Sequence, residues 1–375
     1  MPITIEEVKS RKALRDFIFL PRELYRENPL WAPPIWMEER ETFSSRNPVL
    51  RHSEYALFLV RDGRAAAGRI LAYVDRNFND FYGTRTGMFG SFECVESHEV
   101  AEALIRRAER WLLARDMTTV RGPINPVSEC WGFLCRGYDI PPMFMSPFNP
   151  PCYNEFVRAA GYAKVKDLLV YEVDAGQGYA IPERFVRFRE TLLRRRPNMS
   201  VRRLDLSNLA EEAEHIWRIS NAAMSGNWGY VPLDRGELET MLKKLKPIAD
   251  PDAVWMVQDG RETVGFAMGF PDLNLVLRKI KGRLLPFGFI RLLRDARRVR
   301  DFRLFGLAVL PQYQGMGLDV LLYMSLFETL KPRNIRLEAN YILEDNLKIR
   351  NALEKLQMQP TKVYRVYEKS TARNL

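Results

Sequence analysis

A stretch near residue 60 returns near residue 257, and this internal echo limits the fold of the chain more than any other feature. Phe58-Leu59-Val60-Arg61-Asp62-Gly63-Arg64, followed by Gly68-Arg69-Ile70, is matched by Trp255-Met256-Val257-Gln258-Asp259-Gly260-Arg261, followed by Gly265-Phe266-Ala267. The Asp-Gly-Arg and the later glycine share one offset of 197 residues (62 to 259, 68 to 265). An apolar strand, a tight Asp-Gly turn and a second strand make a hairpin pattern in each half. A third strand follows (Met88 to Val95; Arg303 to Leu310), then a long helix. The first helix carries Ala101, Leu104, Ile105, Ala108, Trp111 and Leu112 at helical spacing, and the second runs from Leu318 to Leu330. Each half closes with a helix and a strand: Tyr153 to Gly161, then Lys166 to Val173, against Asn346 to Met358, then Lys362 to Glu368.

Two copies of one α/β domain follow, spanning residues 1–174 and 199–375. Between them, 175–198 holds Gly176, Gly178, Pro182 and Pro197 around a basic helical piece with Phe185, Phe188 and Leu192, which predicts an ordered connector. At 375 residues the chain exceeds one ordinary core, and 46% hydrophobic with 28% charged residues supplies apolar material for two. The N-terminal run MPITIEEVKSRKALRDF lacks the apolar centre of a signal peptide, and no apolar run reaches the roughly 18 residues of a spanning helix. A cytoplasmic protein is expected. Cys94, Cys130, Cys135 and Cys152 form no Cys-x-x-Cys pair, and His52, His98 and His215 are scattered. The cysteines read as buried reduced thiols, and no metal site is expected.

Chemistry concentrates where Phe305-Gly306-Leu307-Ala308-Val309-Leu310 runs into Pro311-Gln312-Tyr313-Gln314-Gly315-Met316-Gly317-Leu318 and an apolar helix. Glycines at 315 and 317 let a ligand approach the backbone, while free N–H groups and the positive helix end attract phosphate oxygens. The third glycine of a dinucleotide fingerprint and the Gly-Lys-Ser/Thr of a P-loop are missing. A pyrophosphate cradle and a plain structural turn both fit these residues.

Gln312-x-x-Gly315-x-Gly317 between strand and helix, a further strand from Asn334 to Ala339, and Asn346 opening another helix together resemble the GNAT acyl-CoA N-acyltransferase superfamily. The resemblance implies two tandem domains, each a mixed, mostly antiparallel sheet flanked by helices. It implies acyl-CoA as co-substrate, with pyrophosphate on the loop and pantetheine along the preceding strand. The matching positions are Leu307, Val309, Gln312, Gln314, Gly315, Met316, Gly317 and Leu318, with Asn346 as a further contact. More narrowly, Asn47-Pro48, Gly68-Arg69-Ile70, Phe89-Gly90-Ser91-Phe92-Glu93, Gly122-Pro123-Ile124-Asn125, Gly137-Tyr138-Asp139 and Glu344-Asp345-Asn346 resemble the bacterial ceramide synthase-like proteins. That subgroup implies transfer of a fatty acyl group to the amine of a sphingoid base.

Acyl transfer to an amine needs a polarised carbonyl, a base for the amine proton and a fate for the thiolate. Glu338, on a strand after Ile335 and Leu337, and Glu344, at a helix entrance, are the candidate bases. Pairing of Glu338 with an arginine and capping of the helix by Asp345 are the structural alternatives. Where many GNAT proteins carry a general-acid tyrosine, seven residues past the helix-opening asparagine, this chain has Leu353, and Tyr341 and Tyr364 are the substitutes. The first copy reads Glu96-Ser97-His98-Glu99-Val100 at the cradle position, so it is expected to shape an acceptor groove with Met143, Phe144, Met145 and Phe148, joined by Trp228-Gly229-Tyr230, and not to bind CoA.

The net charge is +10, and between 274 and 303 ten Lys or Arg face Asp295 and Asp301, a local excess of +8. This lies in an insertion, 271–302, whose apolar residues keep helical spacing, as in basic amphipathic helices on anionic membranes. Segment 273–300 is therefore a candidate membrane contact for a peripheral protein of the inner membrane face, with an interior packing helix as the alternative and nucleic acid least favoured. Two other functions fit: an acetyltransferase for a small-molecule or protein amine, and a non-catalytic ligand or nucleic-acid binder.

Overall fold

The computed structural model describes residues 3–44, 46–126, 130–232 and 234–371. In chain order the elements are β1 (Thr4–Glu7), α1 (Arg11–Leu24), α2 (Trp36–Thr42), α3 (Pro48–Arg51), β2 (Ser53–Asp62), β3 (Ala65–Asp75), α4 (Arg76–Tyr82), β4 (Thr86–Cys94), α5 (His98–Leu113), β5 (Thr119–Gly122), β6 (Phe133–Arg136), α6 (Cys152–Ala159) and β7 (Ala163–Asp174). They continue with α7 (Glu183–Arg195), β8 (Met199–Arg203), α8 (Leu209–Met224), α9 (Arg235–Leu245), β9 (Val254–Asp259), β10 (Glu262–Pro271), α10 (Asn274–Ile280), α11 (Gly288–Ala296), β11 (Asp301–Val309), α12 (Leu318–Leu330), β12 (Arg336–Leu343), α13 (Leu347–Lys355) and β13 (Gln359–Ser370). The residues group into two compact units: Met1–Leu168 with Leu277–Gly288 and Lys362–Leu375, and Leu169–Val276 with Phe289–Thr361.

The echo is structural. Asp62 pairs with Ala65 and Asp259 with Glu262, each across a two-residue turn. The turn glycines have φ of +57° at Gly63 and +59° at Gly260, where a side chain would be strained. The later glycine is explained by space. A Cβ at Gly68 would lie 2.7 Å from Leu104 Cδ1 of α5, and one at Gly265 would lie 2.9 Å from the Ala308 carbonyl oxygen, so both positions are pressed by their neighbours.

In the first unit the strand order is β1-β2-β3-β4-β5-β13, with β6 on β13. β4 and β5 run parallel through only three pairs, Thr86–Thr119 to Met88–Arg121, and the other neighbours are antiparallel. Val100, Ala101, Leu104, Ile105, Ala108, Trp111 and Leu112 line the buried face of α5, as the spacing predicts. The linear repeat offers β13 as the last strand of the second copy, but its register with β5 and β6 lies in the first unit. Tyr367 faces Gly122 and Glu368 faces Arg121, with an Arg121–Glu368 ion pair at 2.6 Å. The buried Tyr367 hydroxyl donates to Asn154 Oδ1 at 2.8 Å, and Lys369 meets Glu109 at 2.8 Å.

The second unit repeats the plan as β12-β11-β10-β9-β8, with β11 and β12 the parallel pair. Its helix α12 is buried almost all round, from Leu318 to Leu330, against β9, β10 and β11. Segment 175–198 packs on this unit. Tyr179 donates to the Leu356 carbonyl at 2.8 Å and packs edge-on against Phe327 at 5.0 Å, while Arg189 of α7 is paired with Glu328.

The insertion departs from the expected arrangement. Of the apolar face offered to a membrane, Leu273, Val276, Leu277, Leu292, Ala296 and Val299 are buried in the protein, Ile280, Leu284 and Leu293 are half-buried, and Phe289 is exposed. In the first unit its residues 277–288 lie against the N-terminal segment, where Trp36 Nε1 donates to the Lys281 carbonyl at 3.0 Å and Arg278 bonds to the Pro29 carbonyl. Leu285, Phe287 and Ile290 stay open, at 71%, 75% and 63% exposure. Of the cysteines, all free, only Cys94 is fully buried and the other three are half-buried. No helix of the described residues is long and apolar enough to cross a membrane.

Candidate functional site

The hydrogen-bond register on β11 decides which backbone groups are available. Leu310 N–H donates to the Val264 carbonyl at 2.9 Å, so the Val264–Leu310 pair is a bonded one. Because bonded and non-bonded pairs alternate along antiparallel strands, Gly265–Val309 and Ala267–Leu307 are non-bonded, and the Val309 and Leu307 amides face away from β10. On that other side β12 accompanies β11 only from Asp301–Arg336 to Leu304–Ala339. Beyond Leu304 the strands part, and the two expected amides face the vacated edge. A register shift between Met268 and Gly269, where β11 holds one extra residue, bends β11 at this point.

The chain then makes a 3-10 turn at Pro311–Tyr313 and enters the glycine loop. Gln314 Nε2 donates to the Val309 carbonyl at 3.2 Å, and the Tyr313 hydroxyl donates to Asp259 at 3.2 Å, tying the loop to β9. Gly315 and Gly317 hold φ of +77° and +79°. Gly317 is the N-cap of α12 and supplies no side-chain acceptor, and the first helical bond runs from Leu321 N–H to Gly317 O at 3.1 Å. The amides of Leu318, Asp319 and Val320 therefore precede the helical ladder at its positive end. Gln312, Gln314 and Gly315 are exposed, and Met316 is half-buried. Asn346 is the N-cap of α13, accepting from Ile349 N–H at 3.2 Å, so its side-chain oxygen is committed to the helix rather than open to a ligand.

One partner of this loop escapes a reading of the linear chain. A Cβ on Gly317 would sit 2.3 Å from Phe188 Cζ, so the α7 ring rests on the loop backbone, whereas Gly315 has nothing within 4 Å. The same α7 carries Arg184, Arg187, Arg189, Arg194 and Arg195 in the unit that holds the glycine loop. The basic composition of the connector was visible, but its packing partner was not.

Glu338 on β12 is completely buried. Asn340 Nδ2 donates to its Oε1 at 2.5 Å, and Arg303, only 2% exposed and opposite Glu338 in register, donates to Asn340 Oδ1. The arginine expected beside Glu338 is thus present, reached through Asn340, and sequence order gave no sign of either partner. The Arg303 guanidinium also lies over the rings of Phe305 (5.5 Å) and Tyr341 (5.4 Å). Tyr341 and Glu344 are half-buried, and the Glu344 carbonyl accepts from Arg350 at 2.7 Å. Leu353 faces inward and is buried. Tyr364, the other substitute acid, is buried on β13 in the first unit.

The first unit has an equivalent of the β11 edge, and its own side chains occupy it. Gly68 pairs with Cys94 as Gly265 pairs with Val309, and Val95 N–H bonds Ala67 O as Leu310 N–H bonds Val264 O. Yet Cys94 N–H donates to the Tyr153 hydroxyl at 2.7 Å, and Ser91 N–H donates to Asn125 Oδ1 at 2.6 Å. The Val309 amide stands open on β11, and its counterpart on β4, the Cys94 amide, is closed by Tyr153.

No protein-family model matches the chain. It is 31% identical over 380 residues to the bacterial ceramide synthase of Caulobacter vibrioides (strain NA1000 / CB15N), covering 98% of this chain and 97% of that protein. It is 29% identical over 368 residues to protein YghO of Escherichia coli (strain K12), covering 96% and 93%. Among solved structures, a tandem GNAT protein from the clavulanic acid biosynthesis pathway superposes with a TM-score of 0.60 at 11% identity, covering 100% of both chains. A GCN5-related N-acetyltransferase from Sphaerobacter thermophilus gives 0.55 at 13% identity, covering 98% and 95%. The structural likenesses show the tandem GNAT N-acyltransferase fold, the sequence likeness narrows it, and the chain belongs to the bacterial ceramide synthase family of that superfamily.

Proposed function

We propose that the protein is an acyl-CoA-dependent N-acyltransferase that moves a long-chain acyl group from CoA to the amine of a sphingoid base. The parting of β11 from β12 beside an uncapped helix N-terminus carries this reading. The Leu307 and Val309 amides would hold the pantetheine arm, and the amides from Gly315 to Leu318 the pyrophosphate, with Gln312, Gln314 and Met316 at the rim. One such cradle per chain is expected, because Tyr153 closes the Cys94 amide, the β4 counterpart of the Val309 amide. The duplicated copies are 1–174 and 199–375, with 175–198 as connector.

Glu344 is the carboxylate that an incoming amine reaches directly, since it keeps part of its surface open. Glu338 acts through Asn340, holding Arg303 beneath the Tyr341 ring, and Tyr341 would supply the hydroxyl for the departing thiolate. The lipid acceptor is supported by the name of the Caulobacter relative and by the open Leu285, Phe287 and Ile290, which are flanked by Arg283 and Arg291. Those apolar side chains would enter the interface of an anionic membrane at the inner face of the cell while the arginines meet headgroups.

The deciding experiment measures thiol release from acyl-CoA thioesters, from acetyl to long-chain, with a sphingoid base or a small polyamine as acceptor. Release confined to long-chain donor and sphingoid base is the expected result. Acetyl-CoA turnover with the polyamine would replace the lipid assignment, and no release with any pair would refute an acyltransferase.

A further inference from the structure

The Phe89-Gly90-Ser91-Phe92-Glu93 run on β4 has no task in the site above, and its last residue sits in an unusual place. Glu93 Oε2 accepts a short hydrogen bond from the Tyr25 hydroxyl and another from the Tyr153 hydroxyl at 3.2 Å. The Tyr25 ring, just past α1, is edge-on to Phe148 at 5.4 Å and tilted against Trp31 at 5.5 Å, and Trp31 continues to Trp36 at 6.4 Å. Arg69, from β3, donates to the Phe17 carbonyl at 2.8 Å with its guanidinium over the rings of Phe17 (5.1 Å) and Phe43 (5.8 Å). It is only 6% exposed, yet its Nε–H has no hydrogen-bond partner. All of these residues belong to the first unit.

The charges around Glu93 do not balance. Burial pushes its carboxyl up to about 7, against the lowering pull of Arg69 and of the hydrogen bonds from Tyr25 and Tyr153, with Glu39 of α2 adding to the rise. Glu39 is raised for the same first reason, opposed by Arg69. Both carboxylates nevertheless keep part of their surface exposed. Half-buried Trp31, Glu39, Glu93 and Phe148 around the buried Tyr25 and Arg69 describe a recess, and two carboxylates to one guanidinium leave it one positive charge short. The aromatic walls are the surface on which a cation is best accommodated, and the orphan Arg69 Nε–H asks for an oxygen acceptor.

We propose that this recess binds the polar head of an amino alcohol, its primary ammonium on Glu93 and Glu39 among Tyr25, Trp31 and Phe148, and its hydroxyl oxygen on Arg69 Nε–H. The choice of an amine rests on the N-acyltransferase reading and deepens it: the first unit, which lacks the cradle, recognises the acceptor. Phe148, expected from the sequence to line an acceptor groove, is one of its walls.

The test is calorimetric titration of the full chain, without CoA, with the water-soluble probe 2-amino-1,3-octanediol. Wild type binds; Glu93→Gln and Glu39→Gln each weaken binding by roughly 10- to 100-fold, the range for a lost charge-assisted hydrogen bond. Octane-1,3-diol, without the ammonium, does not bind, and 1-aminooctane binds more weakly than the amino diol. Binding of the amino diol to the wild type falls as the pH is lowered from 8 through about 7, where Glu93 protonates beside Glu39, Arg69, Tyr25 and Tyr153. The probe and pH series need no variant, so a misfolded substitution does not block the test. Equal binding of diol and amino diol, or full affinity in a folded Glu93→Gln protein, would overturn the proposal. Acyl-CoA affinity, measured alongside, stays unchanged in Glu93→Gln. Loss of all acyl-CoA binding in the wild type would refute the cradle while Glu93-dependent amine binding kept the recess, and normal acyl-CoA binding with Glu93-independent amine binding would refute the recess alone.

Discussion

Replacing Gly315 or Gly317 by alanine sets two nearly identical backbone conformations in different surroundings. Both have φ near +78°, at +77° and +79°, so alanine at either costs roughly 1–2 kcal/mol of left-handed strain. At Gly315 the new methyl meets nothing within 4 Å, and strain is the whole effect. At Gly317 it would lie 2.3 Å from Phe188 Cζ and 2.5 Å from Cε1, well inside contact distance. The ring must move or the loop must deform, adding about 1–3 kcal/mol of overpacking. Acyl-CoA binding, read by calorimetry, should therefore weaken about tenfold in Gly315→Ala, whereas Gly317→Ala should lose a further factor of about 10–100. Removing the ring relieves only the steric part: Phe188→Ala with Gly317→Ala should return affinity to within a few-fold of Gly315→Ala. Equal losses in the two glycine variants, or no relief in the double variant, would show that Phe188 does not press on the loop as described.

Arg303→Leu leaves Glu338 and Asn340 buried without their cation, so chemical denaturation should show a loss of about 3–5 kcal/mol. Glu344→Gln should reduce turnover with acyl-CoA affinity intact, while Glu338→Gln should lower turnover and stability together; full activity in both would remove the carboxylates from the mechanism. For Glu93, whose folded pKa near 7 lies above its ordinary carboxyl value, the folded chain holds a proton that the unfolded chain has released, so stability declines as pH rises through that window. The full shift corresponds to about 3 kcal/mol, reduced by the exposed face to roughly 1–2. Glu93→Gln should then unfold at higher denaturant than wild type at pH 8 and match it near pH 5. Leu285→Ser with Phe287→Ser and Ile290→Ser should abolish sedimentation with anionic vesicles while leaving the melting temperature within a few degrees, since all three side chains are largely exposed; unchanged sedimentation would discard the membrane contact.

Local rules carried much of this protein into its sequence. The Asp-Gly turns, the strand–glycine loop–helix order, the span of α12 from Leu318 to Leu330 and the helix opened by Asn346 depend on residues a few positions apart. Periodicity and turn preference report such neighbours directly. The repeat likewise pointed to tandem domains, as the structural likenesses show.

Tertiary structure alone decided what those elements touch. An amphipathic stripe requires burial without naming the partner, so much of the apolar face of the insertion, offered to a membrane by its spacing, is spent on the protein, with Phe289 of that face and Leu285, Phe287 and Ile290 left exposed. The same indifference let β13 pair with β5 and β6, and let Phe188 cover Gly317 across 129 positions of chain. The enclosure of Glu338 by Asn340 and Arg303, the closure of the Cys94 amide by Tyr153 and the gathering of Tyr25, Glu39, Arg69 and Glu93 are also contacts between residues distant in sequence. A hydrogen bond or a desolvated charge exists only once those distances have closed, and no pattern along the chain records which ones will.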